Sequence, residues 1–220
     1  MARKRNRYLL TNDADSNQGA YEAIEMLKTD SFAEAPPVPD RVPRGIEVDE
    51  NRVYFYCNVG QNEALELNRL IRKLDVEMRY LSDRLSCSKV PIHLHINSPG
   101  GDAFSGLSIA DTIKSCRTPV YTYVDGSAAS AATLIAMVGD KRFASENSFM
   151  LLHQPSILWG GKLDEFMDEV ENQKSIYDKI KNIYLNNSDI SEDDLEELLQ
   201  HELWLDVETC MQHGFIDKVY

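Results

Sequence analysis

From Arg52 onward the chain alternates short β-branched and aromatic runs with longer helical ones, and this alternation most narrowly limits its fold. Val53, Tyr54, Phe55 and Tyr56 open a strand-like run over 53–57. Residues 62–84 carry Leu65, Leu67, Leu70, Ile71, Leu74, Met78 and Leu81 at near-helical spacing. Strict alternation over 90–96 predicts a strand that runs into a glycine corner at Gly100 and Gly101. A helix with Leu107, Ala110 and Ile113 on one face then leads to a strand over 120–124. A short apolar helix after Ser130 is followed by strands over 142–144 and 149–152. Residues 162–187 predict a long acidic helix whose apolar positions are Phe166, Val170, Ile176, Ile180 and Ile183. Ser191 reads as the N-cap of a shorter helix, with Glu192, Asp193 and Asp194 in its first turn, and residues 215–220 read as a final strand. Strands and helices in this order predict an α/β fold around a largely parallel sheet.

The 220 residues suffice for one domain with an appended arm. Residues 1–45 read as that arm, being polar at first and Pro-containing over 34–40, with a short helix expected at 21–27. Residues 46–220 read as the domain. A formal charge of −13 argues against nucleic acid, which is held by clustered Lys and Arg, and against an anionic membrane surface. No apolar run approaches the roughly 18 residues that span a bilayer. The basic start, Arg3-Lys4-Arg5-Asn6-Arg7, is followed by too short an apolar stretch for a signal peptide. Cys57, Cys87, Cys116 and Cys210 are widely spaced, which fits free thiols in a reducing cytoplasm.

Three weak signals bear on chemistry. Ser130 ends the small-residue run Asp125-Gly126-Ser127-Ala128-Ala129, which reads as a turn opening an apolar helix. Taken alone, such a serine more often caps a helix than attacks a substrate. His153 closes an apolar run in Leu152-His153-Gln154-Pro155; a serine hydroxyl needs such an imidazole to become nucleophilic. Gly100 and Gly101 could present backbone N–H groups to an oxyanion, because a missing Cβ admits a substrate. His93 and His95 share a strand face but have no third ligand at convincing spacing, so no metal is expected. Neither GxGxxG nor the P-loop pattern occurs, and no nucleotide cofactor is expected.

In combination these segments resemble the Clp-type (caseinolytic) serine peptidases. The resemblance is carried by Ile96-Asn97-Ser98-Pro99-Gly100-Gly101, Gly126-Ser127-Ala128-Ala129-Ser130, Lys141-Arg142-Phe143, Asn147-Ser148, Leu152-His153-Gln154-Pro155, and Trp204-Leu205 through His213-Gly214-Phe215-Ile216-Asp217. It runs from about Arg52 to Tyr220 and excludes the arm. It implies a ββα spiral of the kind shared with crotonases, with a protruding handle helix at 162–187. It further implies Ser130 as nucleophile, His153 as general base, and the backbone N–H groups of Gly101 and Ala131 as oxyanion hole. Gly100, Asp102 and Pro155 are expected to flank the bound substrate. The implied assembly is two stacked heptameric rings, fed by a hexameric ATP-dependent unfoldase and cutting unfolded polypeptides without any cofactor of its own.

Two positions depart from the family pattern. Glu202 stands where the third triad residue is normally Asp, and Asp206 is the alternative. Ala131 stands where a larger residue usually follows the nucleophile, so one wall of the pocket is smaller. Competing readings are a non-catalytic subunit of the same ring, a viral capsid-maturation peptidase of the same fold, and a thioester-processing crotonase relative.

Overall fold

Along each central strand the side chains sort by parity to two faces. In the computed structural model, which describes residues 45–87, 89–156 and 160–220, residues Val42–Tyr220 make one compact unit. Val53 and Phe55 of β2 (Arg52–Phe55), Ile92, Leu94 and Ile96 of β3 (Ile92–Ser98), and Val120, Thr122 and Val124 of β4 (Val120–Ala129) are buried. The three strands are parallel and in register, with Val53 opposite Leu94 and Leu94 opposite Thr122. Helix α1 (Gln61–Leu85) contributes Leu67, Ile71 and Leu74 to this core, and α2 (Ala103–Ser115) contributes Ile109 and Ile113. Each such side chain is worth about 1.5–3 kcal/mol of transfer free energy.

The opposite parity builds a polar and aromatic row. Tyr54, His95, Tyr123 and Phe143 lie side by side across four strands, with successive ring centroids 4.9, 4.5 and 4.8 Å apart. Asp125, next outward along β4, accepts hydrogen bonds from the Tyr56 and Tyr220 hydroxyls and lies 3.0 Å from His95 Nδ1. His93 Nδ1 is 2.7 Å from the Tyr123 hydroxyl. The two histidines therefore belong to a stacked, hydrogen-bonded array.

The sheet order is β1-β2-β3-β4-β5-β8, with β6 on the far half of β4 and β7 beyond β6. Here β1 is Ile46–Asp49, β5 Lys141–Ala144, β6 Phe149–Leu151, β7 Leu205–Asp206 and β8 Lys218–Val219. Among the described residues only the β1–β2 and β6–β7 pairings are antiparallel, so the expected parallel character is observed. Helix α3 (Ala131–Met137) is wholly buried, α4 is Leu163–Asn186, α5 Glu192–Leu199 and α6 Val207–Gln212. Only Ile180 and Tyr184 of α4 are buried, while Leu163, Phe166 and Met167 near its start are exposed.

Several sequence expectations are corrected. The run Asp125-Gly126-Ser127-Ala128-Ala129, read as a turn, is the second half of β4. Its small residues have little strand preference, but Ala128 pairs with Ser98 on one side and Met150 on the other. Tertiary pairing therefore overrides propensity. The final strand shrinks to Lys218–Val219, because Phe215 and Ile216 turn into the core. Strand β1 was not anticipated: its hairpin turns at Glu50, which takes φ 53 without a glycine to signal it. The helix expected at 21–27 lies outside the described residues.

Candidate active site

Ser130 stands at the junction of β4 and α3 with φ 53 and ψ −128, a conformation that costs a non-glycine residue about 1–3 kcal/mol. A strand that ends and a helix that begins within one residue force this geometry, a sharp elbow between the two. Three contacts hold it. The Ser130 N–H donates to the Leu151 carbonyl at 2.8 Å, and its carbonyl accepts from the Thr133 N–H at 2.9 Å and the Thr133 hydroxyl at 2.6 Å. From below comes Gly100 at φ 89; a Cβ there would sit 2.4 Å from the Ala129 carbonyl oxygen and 2.7 Å from Ser130 Cβ. Only glycine lets the β3–α2 corner approach the elbow so closely.

The same corner aligns Gly101. Val59 donates to the Gly100 carbonyl at 2.8 Å and accepts from the Asp102 N–H at 2.7 Å, a one-residue parallel bridge. Such a bridge leaves the Gly101 N–H pointing away from Val59. Ala131 is the first residue of α3, and its N–H has no intrahelical partner. Among the described residues neither donor meets an acceptor, and both residues line the cleft that holds Ser130.

Register brings His153 to the same place. Strand β6 runs parallel to β4 with Ala129 opposite Leu151, so Ser130 and His153 emerge one and two residues beyond a paired position. This is the carboxyl end of parallel strands, where α/β folds gather their ligands. Leu152 between them is buried, and Gln154 N–H is anchored on the Leu199 carbonyl at 3.1 Å. Ser130 and His153 line one cleft, although no hydrogen bond joins their side chains among the described residues.

The two candidate acids part company. Glu202 Oε1 lies 3.6 Å from His153 Nδ1, with 79% of the glutamate side chain exposed. That is an electrostatic contact longer than a hydrogen bond. Asp206 instead caps α6, accepting the Thr209 N–H at 2.9 Å, and this bond holds its carboxyl below the usual range. Asp102 is likewise engaged: its carboxylate caps α2 through the Ser105 N–H at 2.8 Å and the Ser105 hydroxyl at 2.6 Å. Asp102, Gly101 and Pro155 all line the cleft.

The cleft has a volume of about 290 Å³. Its inner wall comes from α4, where Gln173, Ile176, Ile180 and Tyr184 follow one another at helical spacing and meet Leu134 of α3. Two of these, Gln173 and Tyr184, escape the sequence reading; the signal was the 3, 4, 4 spacing, which reads equally well as an ordinary apolar stripe. Burial pushes the Tyr184 hydroxyl up to about 12, so it keeps its proton.

Comparison with known proteins gives the family of the chain. The family model for Clp protease matches residues 73–220. The chain is 32% identical over 158 residues to ATP-dependent Clp protease proteolytic subunit 2 of Treponema denticola, covering 71% of this chain and 78% of that protein. Among solved structures, a mutant of ClpP1 from Listeria monocytogenes aligns with a TM-score of 0.65 at 23% identity, covering 75% of this chain and 88% of that one. At that identity the likeness speaks for the fold, and it agrees with the α/β architecture described above. The chain belongs to the Clp protease family, as a member of its proteolytic-subunit type.

Proposed function

We propose that the protein is a serine endopeptidase in which Ser130 is the nucleophile and His153 the general base. The observation that carries this reading is the strained elbow: a serine at φ 53, shared by one cleft with an imidazole from the neighbouring strand. His153 turns Nδ1 toward Glu202, which leaves Nε2 to take the Ser130 proton. As the hydroxyl adds to a scissile carbonyl, negative charge grows on the carbonyl oxygen, and the Gly101 and Ala131 N–H groups face where it forms. The imidazolium then gives its proton to the leaving amine, and water repeats the sequence on the acyl-enzyme. An extended polypeptide fits between the Gly101-Asp102 backbone and Pro155-Ser156, as an added strand.

The surroundings of the chain follow from the same reading. Exposed Leu163, Phe166 and Met167 on α4 suit burial against a second ring of subunits, so that the clefts face an enclosed chamber. Two heptameric rings, an ATP-dependent unfoldase that feeds them, and unfolded polypeptides in the cytoplasm complete the proposal. Among the described residues no helix is long and apolar enough to cross a membrane.

Active-site labelling with a fluorophosphonate tests the chemistry. We expect one adduct per chain on Ser130, abolished in Ser130→Ala and His153→Ala; an unlabelled parent protein would refute the reading. Peptide cleavage separates the acids. Glu202→Gln is expected to lower kcat/KM on the order of tenfold, far short of the roughly 10⁴-fold seen when a buried triad acid is replaced. Asp206→Asn is expected to leave the rate unchanged, since an amide oxygen caps the helix about as well as a carboxylate.

A further inference from the structure

The carbonyl of Ser130 is the most heavily held backbone group of the elbow, and the way it is held has a direction. It accepts from the Thr133 N–H at 2.9 Å and the Thr133 hydroxyl at 2.6 Å. A carbonyl oxygen can only accept, so the single hydroxyl proton of Thr133 is committed to it. The Tyr184 hydroxyl lies 2.7 Å from the same Thr133 oxygen and must therefore be the donor there. The result is a one-way relay from Tyr184 of α4, through Thr133 of α3, to the Ser130 carbonyl. Thr133 and Tyr184 are 0% and 1% exposed, so both hydroxyls are shielded from bulk water.

The carbonyl of Ser130 and the N–H of Ala131 belong to one planar, trans peptide unit. In such a unit the two groups point in opposite directions. Fixing the carbonyl inward on Thr133 therefore fixes the Ala131 N–H outward, into the cleft. Hydrogen bonds that converge on the carbonyl also polarise the unit and make its N–H a stronger donor.

We propose that Thr133 and Tyr184 are positioning residues for the reaction at Ser130: their relay sets the Ser130–Ala131 peptide plane and so aims the Ala131 N–H at the developing oxyanion. Neither side chain supplies a proton to substrate. Their effect falls on the transition state, because the oxyanion exists only there. The proposal rests on Ser130 being the nucleophile, and its test keeps the two ideas apart.

The test measures the second-order rate of fluorophosphonate labelling at Ser130, together with kcat and KM for a peptide, in assembled full-length protein. Thr133→Val, which keeps shape and loses the hydroxyl, should slow labelling and kcat about tenfold with KM unchanged. Thr133→Ser should recover to within about twofold, since the donor and acceptor return. Tyr184→Phe should cost about threefold to fivefold, and combined with Thr133→Val should add nothing further, because a broken relay cannot be broken twice. The pH profile of the rate should be the same in all variants. A Thr133→Val protein labelled at the parent rate, a loss confined to KM, or a Thr133→Ser protein as slow as Thr133→Val would each overturn the relay. Should Thr133→Val fail to fold, Tyr184→Phe decides: a parent-like labelling rate overturns the proposal. An unlabelled parent protein would instead strike the nucleophile assignment itself.

Discussion

Asp125 gathers three donors on the polar face of the sheet, and its ionisation ties the stability of the protein to pH. Burial by itself would raise its pKa, but the bonds from His95, Tyr220 and Tyr56 outweigh burial and hold the carboxyl below its ordinary range. The unfolded chain thus takes up this proton first, so the contribution is complete above the ordinary carboxylate pKa and disappears as pH falls through the folded value. His93 acts in the same sense at higher pH. Its pKa is lowered by burial and then by the nearby charges of Arg52 and His95, so folding opposes its protonation. Stability therefore declines as pH drops below the ordinary histidine value of about 6.5. Urea unfolding between pH 7.5 and pH 3 should show a first loss beginning near pH 6.5 and a second below about pH 4. Asp125→Asn should flatten the second and cost about 1–3 kcal/mol at pH 7. A parallel pH dependence in parent and variant would exclude this account.

At the scale of elements, corners and ladders matter more than propensity. The β3–α2 corner carries Gly100 at φ 89, where an added Cβ would meet the Ala129 carbonyl oxygen at 2.4 Å. Gly100→Ala should cost about 2–4 kcal/mol in thermal melts and remove Ser130 labelling, since relieving the clash moves the elbow. Labelling at the parent rate would mean the corner is not a support of the site. Helix α1, strand β3 and helix α2 were legible because one period dominates each of them. The far half of β4 was not, because Gly126, Ser127, Ala128 and Ala129 gain their strand character from β3 and β6, which a local window does not contain. Of the proposed site, Ser130, His153 and Gly101 follow sequence patterns, whereas the choice between Glu202 and Asp206 depends on which carboxylate a helix N-terminus has already claimed.

For the whole molecule, the first turns of α4 present Leu163, Phe166 and Met167 to solvent on a chain of formal charge −13. Self-association through that stretch would bury apolar surface that a lone subunit exposes. Native mass should therefore exceed that of one chain, and Leu163→Glu with Met167→Glu should shift it to smaller species. A parent protein that runs as a stable monomer would count against assembly. The pairing of Ala129 with Leu151 has a consequence of another kind. Strand alternation alone would give Ser130 the face of buried Leu152 and turn His153 the other way, so the union of serine and imidazole needs the break in alternation that Ser130 makes at φ 53. Removing one residue from β6 would draw His153 into the buried place of Leu152 and put Gln154 where His153 stood, while leaving the sheet paired. The protein would keep its shape and be chemically mute, because its reactive pair is specified by counting as much as by proximity.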